Sequence, residues 1–281
     1  MARRPPHRDR PHHPRAPEGP RGGARGHARP RPSKSVQVKA AQAEPRDLIY
    51  GLRAVLAVLE TRPQDVVRAG YDATLERELR QLIRTCADHE LPCMALPEAE
   101  LTRLAHSDQH EGFLLETRPR KFASPSALSE LLLKKRGVAV AFDRVRNPYN
   151  IGAVLRTAAF FGVDAALLGT PAPHPALPAQ AIRVAEGGAE HLMLCRTTDL
   201  ADTLGRLRKA GVLVVGAENY GDGTIQAVAQ KRPLVLVLGH EREGLSDRVR
   251  AQCDALVAIK GSGPVRSLNV SIAASILIAQ L

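Results

Sequence analysis

Three polar segments of the chain carry side chains that can bind a ligand or stabilise charge. The first contains Asn150 and Arg156, the second contains Glu241, and the third contains Ser267 and Asn269. A guanidinium is almost always protonated. Arg156 is therefore suited to hold a phosphate or to stabilise a developing oxyanion rather than to accept a proton.

Each of these segments follows an apolar run and leads into a helical pattern. The three runs are Val138 to Phe142, Leu234 to Val237 and Ala255 to Ile259. In open α/β sheets, ligands bind where the loops leave the carboxyl ends of the strands. The three loops could therefore converge on one site.

Each candidate also has a purely structural explanation. On a helix that begins just after Asn150, Arg156 points away from the apolar stripe, as an ordinary solvated arginine would. Asn150 suits an N-cap of that helix, and Ser267 and Asn269 could cap the last helix in the same way. Glu241 could pair with a neighbouring cation of its own loop.

Two further groups of polar residues fit structural roles. The spacing of Arg183, Glu186 and Glu190 suits a charge network along one helix face. His110 stands alone near the end of an N-terminal unit, and a single histidine in such a place is usually structural.

The order of the strand-like and helical patterns predicts the fold class. Near-continuous apolar runs separated by helical patterns predict an α/β fold with a mainly parallel sheet that is covered on both faces. The predicted strands are residues 138–142, 165–168, 192–195, 212–216, 234–238 and 255–259.

Residues 46–118 have the pattern of a smaller α/β unit. Helices are predicted from Leu48 to Leu59 and from Leu75 to Asp88, and strands at Val66 to Ala69, Cys93 to Leu96 and Phe113 to Glu116. The more polar residues 119–136 predict a linker, with a short helix from Leu128 to Leu133 that opens the second unit. The three candidate segments then lie in residues 137–281.

Positive charge is concentrated at the N-terminus. Residues 1–34 contain nine Arg and one Lys but only Asp9 and Glu18, a net charge of +8 out of +11 for the 281 residues. Residues 1–45 are too rich in Arg, Pro, His and Gly to bury an apolar core, and they predict a disordered basic arm. Such an arm binds phosphates without sequence preference; a merely solubilising tail is the alternative.

Composition limits the classes of protein that the chain can represent. Hydrophobic residues make up 44% and there is no Trp, so we expect an aliphatic core and few surfaces for base stacking. The four cysteines have no spacing typical of a zinc site or a disulfide framework. With no apolar run of membrane-span length and no signal peptide, we expect a soluble, cytoplasmic protein without a metal.

The glycine-rich signatures of common nucleotide sites are not matched. The nearest approach to G-x-G-x-x-G is the segment 261–266, which has Arg266 in place of the last glycine, and no phosphate-loop pattern occurs. A nicotinamide-dependent dehydrogenase therefore has little support.

Together, the three segments resemble the motifs of the SpoU (TrmH-like) class of SPOUT RNA 2′-O-ribose methyltransferases, in order and spacing. They match N-x-G-x-x-x-R, G-x-E-x-x-G-L and S-L-N-V-S through Asn150, Gly152 and Arg156, through Gly239, Glu241, Gly244 and Leu245, and through Ser267 to Ser271. Residues 46–118 resemble, more loosely, the small L30e-like substrate-recognition domain that often precedes this catalytic domain.

The resemblance implies a C-terminal trefoil knot that binds S-adenosyl-L-methionine, and a homodimer. It implies a catalytic set of Arg156, Asn150, Glu241, Ser267 and Asn269. It also implies that the backbone at three further residues contacts the cofactor, namely Gly239, Ile259 and Leu268, with the strand end at 216–217 as a weaker candidate. The third motif departs from the common pattern, because Lys260-Gly261 stands where Pro-Met is usual.

The expected function is methyl transfer from S-adenosylmethionine to a ribose 2′-oxygen of structured RNA. The small N-terminal unit favours rRNA over tRNA by association with relatives that act on rRNA. The alternative is a non-catalytic RNA-binding or ribosome-assembly factor that retains the fold.

Overall fold

The computed structural model describes residues 45–169 and 177–281. The predicted basic arm, apart from its last residue, lies outside the described residues. Within them, a six-stranded sheet is formed by β5 (Val138–Phe142), β6 (Ala165–Leu168), β7 (Met193–Arg196), β8 (Leu213–Ala217), β9 (Leu234–Leu238) and β10 (Ala255–Val257). All neighbouring strands are parallel, in the order β10-β8-β9-β5-β6-β7. The predicted parallel α/β fold is confirmed.

Helices cover both faces of this sheet, so successive residues of a strand are buried against different helices. Val138 and Val140 share one core with α5 (Pro148–Phe160), α6 (Ala179–Val184) and α9 (Val270–Ile278). Ala139 and Ala141 belong to a second core with α4 (Pro125–Lys135), α7 (Leu200–Lys209) and α8 (Asp247–Arg250). This double burial is the physical reason for the continuous apolar runs in the sequence.

The smaller unit is a four-stranded sheet with its own helices. Its strands are β1 (Asp47–Tyr50), β2 (Val66–Asp72), β3 (Cys93–Leu96) and β4 (Phe113–Thr117), in the order β1-β4-β2-β3. Its helices are α1 (Leu52–Thr61), α2 (Arg80–Asp88) and α3 (Glu98–Ala105). His110 is buried there, and both ring nitrogens make hydrogen bonds, to Thr102 Oγ1 and to the amide of Gly112. It is a structural residue.

Several expectations for the smaller unit were wrong. Residues 48–50 form a strand rather than the start of a helix, because they pair with β4. The segment 75–79 forms the end of a short 3₁₀ turn and irregular turns, and α2 begins only at Arg80. Helix α3 was missed. By contrast, the short helix predicted from Leu128 to Leu133 is confirmed as part of the longer α4, and its Leu128 and Leu132 are buried against the six-stranded sheet.

The described residues form one compact unit, and a buried ionic cluster joins the two sheets. Glu190, in the 3₁₀ turn Gly188–Glu190, has a side chain only 2% exposed. Its carboxylate accepts a hydrogen bond of 3.0 Å from Arg62 Nε, at the end of α1, and another from Arg120, after β4. Arg183 of α6 pairs with Glu111 of the smaller unit. The charges at 183 and 190 therefore join two units rather than line one helix face.

None of the helices in the described ranges has the length and apolarity needed to cross a bilayer.

The buried cluster predicts a large effect of removing its carboxylate. Glu190→Ala leaves two largely buried guanidinium groups without their shared partner, which typically costs about 3–5 kcal/mol. Equilibrium unfolding in urea measures this loss. The matched control is Glu100→Ala, which removes the carboxylate of an exposed ion pair with Arg103 and should leave the unfolding midpoint nearly unchanged. Equal midpoints for the two variants would contradict a stabilising role for the cluster.

Candidate functional site

A cavity of about 690 Å³ lies at the carboxyl ends of three neighbouring strands, β8, β9 and β10. This volume lies within the range of small-molecule and cofactor sites. Its walls are the loops that follow those strands and one side of α9, including residues 217–221, 238–241, 257–261, 265–268, Gly244, Gly263, Val270, Ala273 and Leu277. Two of the three loops expected from the sequence therefore form the cavity wall.

The loop after β9 is closed by two glycines. The amide of His240 donates to the carbonyl of Gly244, and the amide of Gly244 donates to the carbonyl of His240, at 3.0 and 2.9 Å. A Cβ on Gly239 would lie 2.6 Å from the carbonyl oxygen of Gly244, and Gly244 has φ +68°. The spacing G-x-E-x-x-G is thus required for the loop to close with Glu241 at its tip.

The first candidate segment contributes an asparagine that joins the other two. Asn150 is 8% exposed. Its side-chain nitrogen donates to Glu241 Oε1 at 2.8 Å, and its side-chain oxygen accepts from Asn269 Nδ2 at 3.1 Å. The three side chains therefore form one hydrogen-bonded chain across the three loops.

The expectation that Asn150 caps its helix was wrong. Helix α5 begins at Pro148, and its cap is Asn147, whose side chain accepts from the amide of Tyr149. Asn150 lies one turn further on, which leaves its amide free to bridge Glu241 and Asn269. Asn269 does cap α9, because its oxygen accepts from the amide of Ser271 at 2.8 Å.

The other residues expected at a cofactor site lie in the cavity wall. These are Gly239, Ile259, Leu268 and Ser267, and Ala217 at the end of β8 lines the cavity as well. Neither Asn150 nor Arg156 lines it. The structure therefore separates the predicted residues into a group around the cavity and a group on α5, with Asn269 in neither group, because it caps α9 and does not line the cavity.

Arg156 lies on the exposed face of α5, away from the buried side, as expected. Its Nη2 is 2.9 Å from Glu186 Oε2, and its side chain remains 55% exposed. The next residue, Thr157, makes a hydrogen bond of 3.0 Å to Ser275 and so ties α5 to α9. The guanidinium is thus held at the surface beside a carboxylate that the motifs did not include.

Sequence reasoning missed the loop after β8 as part of the site. Residues 218–221 line the cavity, and Glu218 accepts from the amide of Leu245 and pairs with Arg250 at 2.8 Å. Glu218 therefore fixes the far end of the loop that contains Glu241. The sequence feature that could have identified Glu218 was its position directly after a predicted strand at the same edge of the sheet.

Two observations limit the chemistry of the site. Cys253 packs beside Gly216 of β8 and does not line the cavity, and burial, with smaller contributions from Asp254 and Glu218, raises the pKa of its thiol to about 11. It is therefore protonated at neutral pH and is a poor nucleophile. In the described part of the chain, no group of three or more His, Cys, Asp or Glu could hold a metal ion.

Two family models match the chain. Residues 137–279 match the SpoU rRNA Methylase family, and residues 48–123 match a model described as RNA 2′-O ribose methyltransferase substrate binding. A Mycolicibacterium vanbaalenii protein named "Uncharacterized tRNA/rRNA methyltransferase" is 30% identical over 284 residues, covering 99% of this chain and 86% of that protein.

Two solved structures share the fold. The SpoU methyltransferase AviRb of Streptomyces viridochromogenes, in complex with AdoMet, has a TM-score of 0.70 and 24% identity, covering 84% of this chain and 88% of that one. An rRNA methyltransferase of Sinorhizobium meliloti with AdoMet bound has a TM-score of 0.70 and 22% identity, with 84% and 86% covered.

The closed loop predicts that a methyl group at residue 239 is not tolerated. Gly239→Ala should destabilise the protein by about 1–3 kcal/mol, because the backbone of Gly244 must move. Gly261→Ala, in the same cavity wall but with no atom within 4 Å of the added Cβ, should stay within about 0.5 kcal/mol of wild type. Thermal unfolding compares the two, and a harmless Gly239→Ala would show that the loop is not closed in this way.

Proposed function

Because this chain belongs to the SpoU rRNA Methylase family, we propose that it methylates the 2′-hydroxyl of a ribose in structured RNA, with S-adenosylmethionine as the methyl donor. The family is one of RNA methyltransferases. The choice of the ribose oxygen is supported by the second family model, which describes a substrate-binding domain of 2′-O ribose methyltransferases. The hydrogen-bonded chain of Asn150, Glu241 and Asn269 beside the cavity is the observation that carries the proposal.

The cavity fits S-adenosylmethionine. It is large enough for a nucleoside with an amino-acid side arm, and backbone groups of Gly239, Ile259 and Leu268 lie in its wall. When bound, this cofactor supplies a methyl group already activated on a sulfonium. Lys260 and Gly261 also line the cavity, so the departure from the usual third motif lies at the cofactor itself.

The side chains of α5 and the loops then hold the substrate. Arg156 binds the RNA backbone and stabilises the alkoxide that develops as the 2′-hydroxyl loses its proton to solvent water. Asn150 fixes the side chains of Glu241 and Asn269. These in turn orient their loops, one of which carries Ser267 and Leu268 towards the ribose. The Asn150 amide thus holds together the two loops that contain Glu241 and Asn269.

Recognition of the RNA is assigned to the N-terminal part of the chain. Residues 46–118 form the substrate-recognition domain, residues 119–136 join it to the catalytic domain of residues 137–281, and the basic arm of residues 1–45 binds phosphates. Folded RNA is recognised mainly by shape and by backbone contacts, which suits a domain with few aromatic residues. Among RNA classes we propose rRNA over tRNA, because the SpoU model that matches the catalytic part is an rRNA methylase family.

We also propose the family's trefoil knot at the C-terminal end. Support comes from the loop after β8, which packs closely over β10. The amide of Glu218 donates to Val257, and that of Gly223 donates to Leu256, at 3.0 and 3.1 Å. The chain then continues from β10 through residues 258–269, many of which line the cavity, into α9.

We propose that the protein forms a homodimer through the exposed surface of α5 and α9. Tyr149 and Phe160 on α5 are 61% and 81% exposed, and Ile272 on α9 is 52% exposed. Tyr149, Arg156 and Phe160 share one helix face, being seven and four residues apart. A second copy docked on these apolar side chains would bring Arg156 towards the partner's cavity, which is consistent with its absence from its own cavity wall.

The proposed dimer predicts that one charge can separate the subunits. Ile272→Glu should give a monomer with normal secondary structure and little methyl transfer, because the burial of a carboxylate is costly. Light scattering after gel filtration measures the mass. Met94→Glu, at an exposed apolar residue of β3, is the control and should keep the wild-type mass. A dimeric, active Ile272→Glu variant would place the interface elsewhere.

The proposed reaction predicts a selective effect at Arg156. Arg156→Ala should lower the turnover rate by about 10² to 10³ fold and leave the cofactor dissociation constant nearly unchanged. The measurement is transfer of labelled methyl to unmodified total RNA, with the products mapped for 2′-O-methylation. Arg206→Ala, an exposed, ion-paired arginine on α7, is the control and should be fully active.

The same assay separates the enzyme from a non-catalytic RNA-binding factor. Binding of the cofactor and of RNA by the wild-type protein without any methyl transfer would favour the binding factor. Methyl transfer to a base rather than to the ribose would overturn the proposed 2′-O specificity, and a product confined to tRNA would overturn the choice of rRNA.

A further inference from the structure

One carboxylate stands between the two units of the protein and holds an arginine from each. Glu186 Oε2 lies 2.9 Å from Arg156 Nη2 on α5, and 3.6 Å from Arg53 Nε on α1 of the smaller unit. Arg53 belongs to the proposed recognition domain, and Arg156 to the proposed catalytic domain. None of the three family motifs includes Glu186 or Arg53.

The segment that carries Glu186 packs between α1 and α5. A Cβ on Gly187 would lie 2.8 Å from Ala57 Cβ of α1, and a Cβ on Gly188 would lie 3.0 Å from the Cα of Arg156. The backbone therefore touches both helices directly. The backbone position from which the Glu186 side chain extends is consequently fixed relative to both helices.

The backbone conformation of Glu186 is an unfavourable one for glutamate. It follows the end of α6 with φ +45°, in the left-handed region that glycine and asparagine occupy most easily at this place after a helix. Strained backbone of this kind is often found at functional sites. Here, the side chain that it orients is the partner of Arg156.

The exposure of the three side chains suits an anion site. Arg53 and Arg156 are 76% and 55% exposed, whereas Glu186 is 24% exposed. Two guanidinium groups thus face the solvent over a largely covered carboxylate, and the cluster keeps a net positive charge. A phosphate can accept hydrogen bonds from such guanidinium groups. Because the carboxylate already restricts the arginine side chains, less conformational entropy is lost when the phosphate binds.

We propose that Glu186 positions Arg156 for methyl transfer, and that Arg53, held by the same carboxylate, binds an RNA backbone phosphate next to the reacting ribose. The proposal rests on the proposed function, because it assigns Arg156 to that reaction. It makes Arg53, Glu186 and Arg156 a link through which the recognition domain sets the geometry of catalysis.

The two assignments predict opposite kinetic effects. Loss of Arg53 removes a phosphate contact, so it should raise KM for RNA and leave kcat nearly intact. Loss of the Glu186 carboxylate frees Arg156 and also removes a negative charge, so it should lower kcat without weakening RNA binding. An ion pair that merely stabilised the fold would instead lower the unfolding temperature and leave KM and the turnover per folded molecule unchanged.

The first test compares Arg53→Ala with Arg103→Ala in the full-length protein. Arg103 is an exposed, ion-paired arginine of the same unit. Affinity for the RNA substrate should fall about fivefold in Arg53→Ala, and the slope of log affinity against log salt should become shallower by about one unit. Arg103→Ala should match wild type. Equal affinity and slope in the two variants would overturn the assignment of Arg53.

The second test compares Glu186→Asn with Glu90→Asn. Glu90 also has a left-handed backbone after a helix, at φ +55°, but it lies on the surface far from α5 in sequence. Asparagine suits both positions, so neither variant should lose thermal stability. Glu186→Asn should nevertheless lower kcat by about tenfold to a hundredfold, with unchanged cofactor affinity. Full turnover in Glu186→Asn would overturn its positioning role.

Failure of this inference can be told apart from failure of the proposed function. If wild type transfers methyl groups and Arg156→Ala does not, an active Glu186→Asn variant overturns the inference alone. If wild type transfers no methyl to any RNA, the proposed function and the positioning role of Glu186 both fall. The RNA-affinity comparison of Arg53→Ala with Arg103→Ala still decides the phosphate site in that case.

Discussion

The close contact between α5 and the segment 179–190 is the constraint on which the rest of the structure depends. Gly152 of α5 faces the carbonyl of Ala181, and a Cβ in its place would also lie 2.7 Å from Val184 Cβ. The same segment holds the smaller unit through Arg183 and Glu190. One stretch of chain therefore fixes both the helix that carries Asn150 and Arg156 and the unit that carries Arg53.

This arrangement explains why the site combines a rigid part with an open part. Asn150 is buried and makes two hydrogen bonds, so the loops that contain Glu241 and Asn269 are tied to α5. Arg156, two turns further along the same helix, stays exposed and is held only from the side by Glu186. The buried turn of α5 thus preserves the geometry, while the exposed turn remains accessible to a large polyanion.

The larger sheet was predictable from the sequence because its strands are buried on both faces. Val138–Phe142 and Leu234–Leu238 are continuous apolar runs of strand length, and every residue in them is buried. The strand at 47–50 was not predictable in the same way. It is short, runs directly into α1, and is specified by pairing with β4, some 65 residues away. A pairing over that distance leaves no local pattern.

The candidate site likewise contains residues that the sequence could predict and residues that it could not. The motifs located Glu241, Asn269 and the glycines of their loop, since the glycine spacing reflects a local closure. The motifs also contained Asn150, but its predicted role as the N-cap of α5 was wrong. Asn147, about one turn earlier, is the N-cap instead. The pair of Arg156 and Glu186 joins residues that are 30 positions apart across two elements. Nothing in the local pattern of either residue indicates the other.

The buried carboxylate of Glu190 has a consequence for the order in which the chain can fold during synthesis. Arg62 and Arg120 leave the ribosome well before residue 190, so their shared partner is missing while the N-terminal sheet first forms. About seventy further residues must be made before the carboxylate that these two arginines share is available. The cavity is completed later still, because its walls come from residues 217–277. We therefore expect the smaller N-terminal unit and the cavity to be completed as consecutive stages during synthesis, with the addition of Glu190 between them.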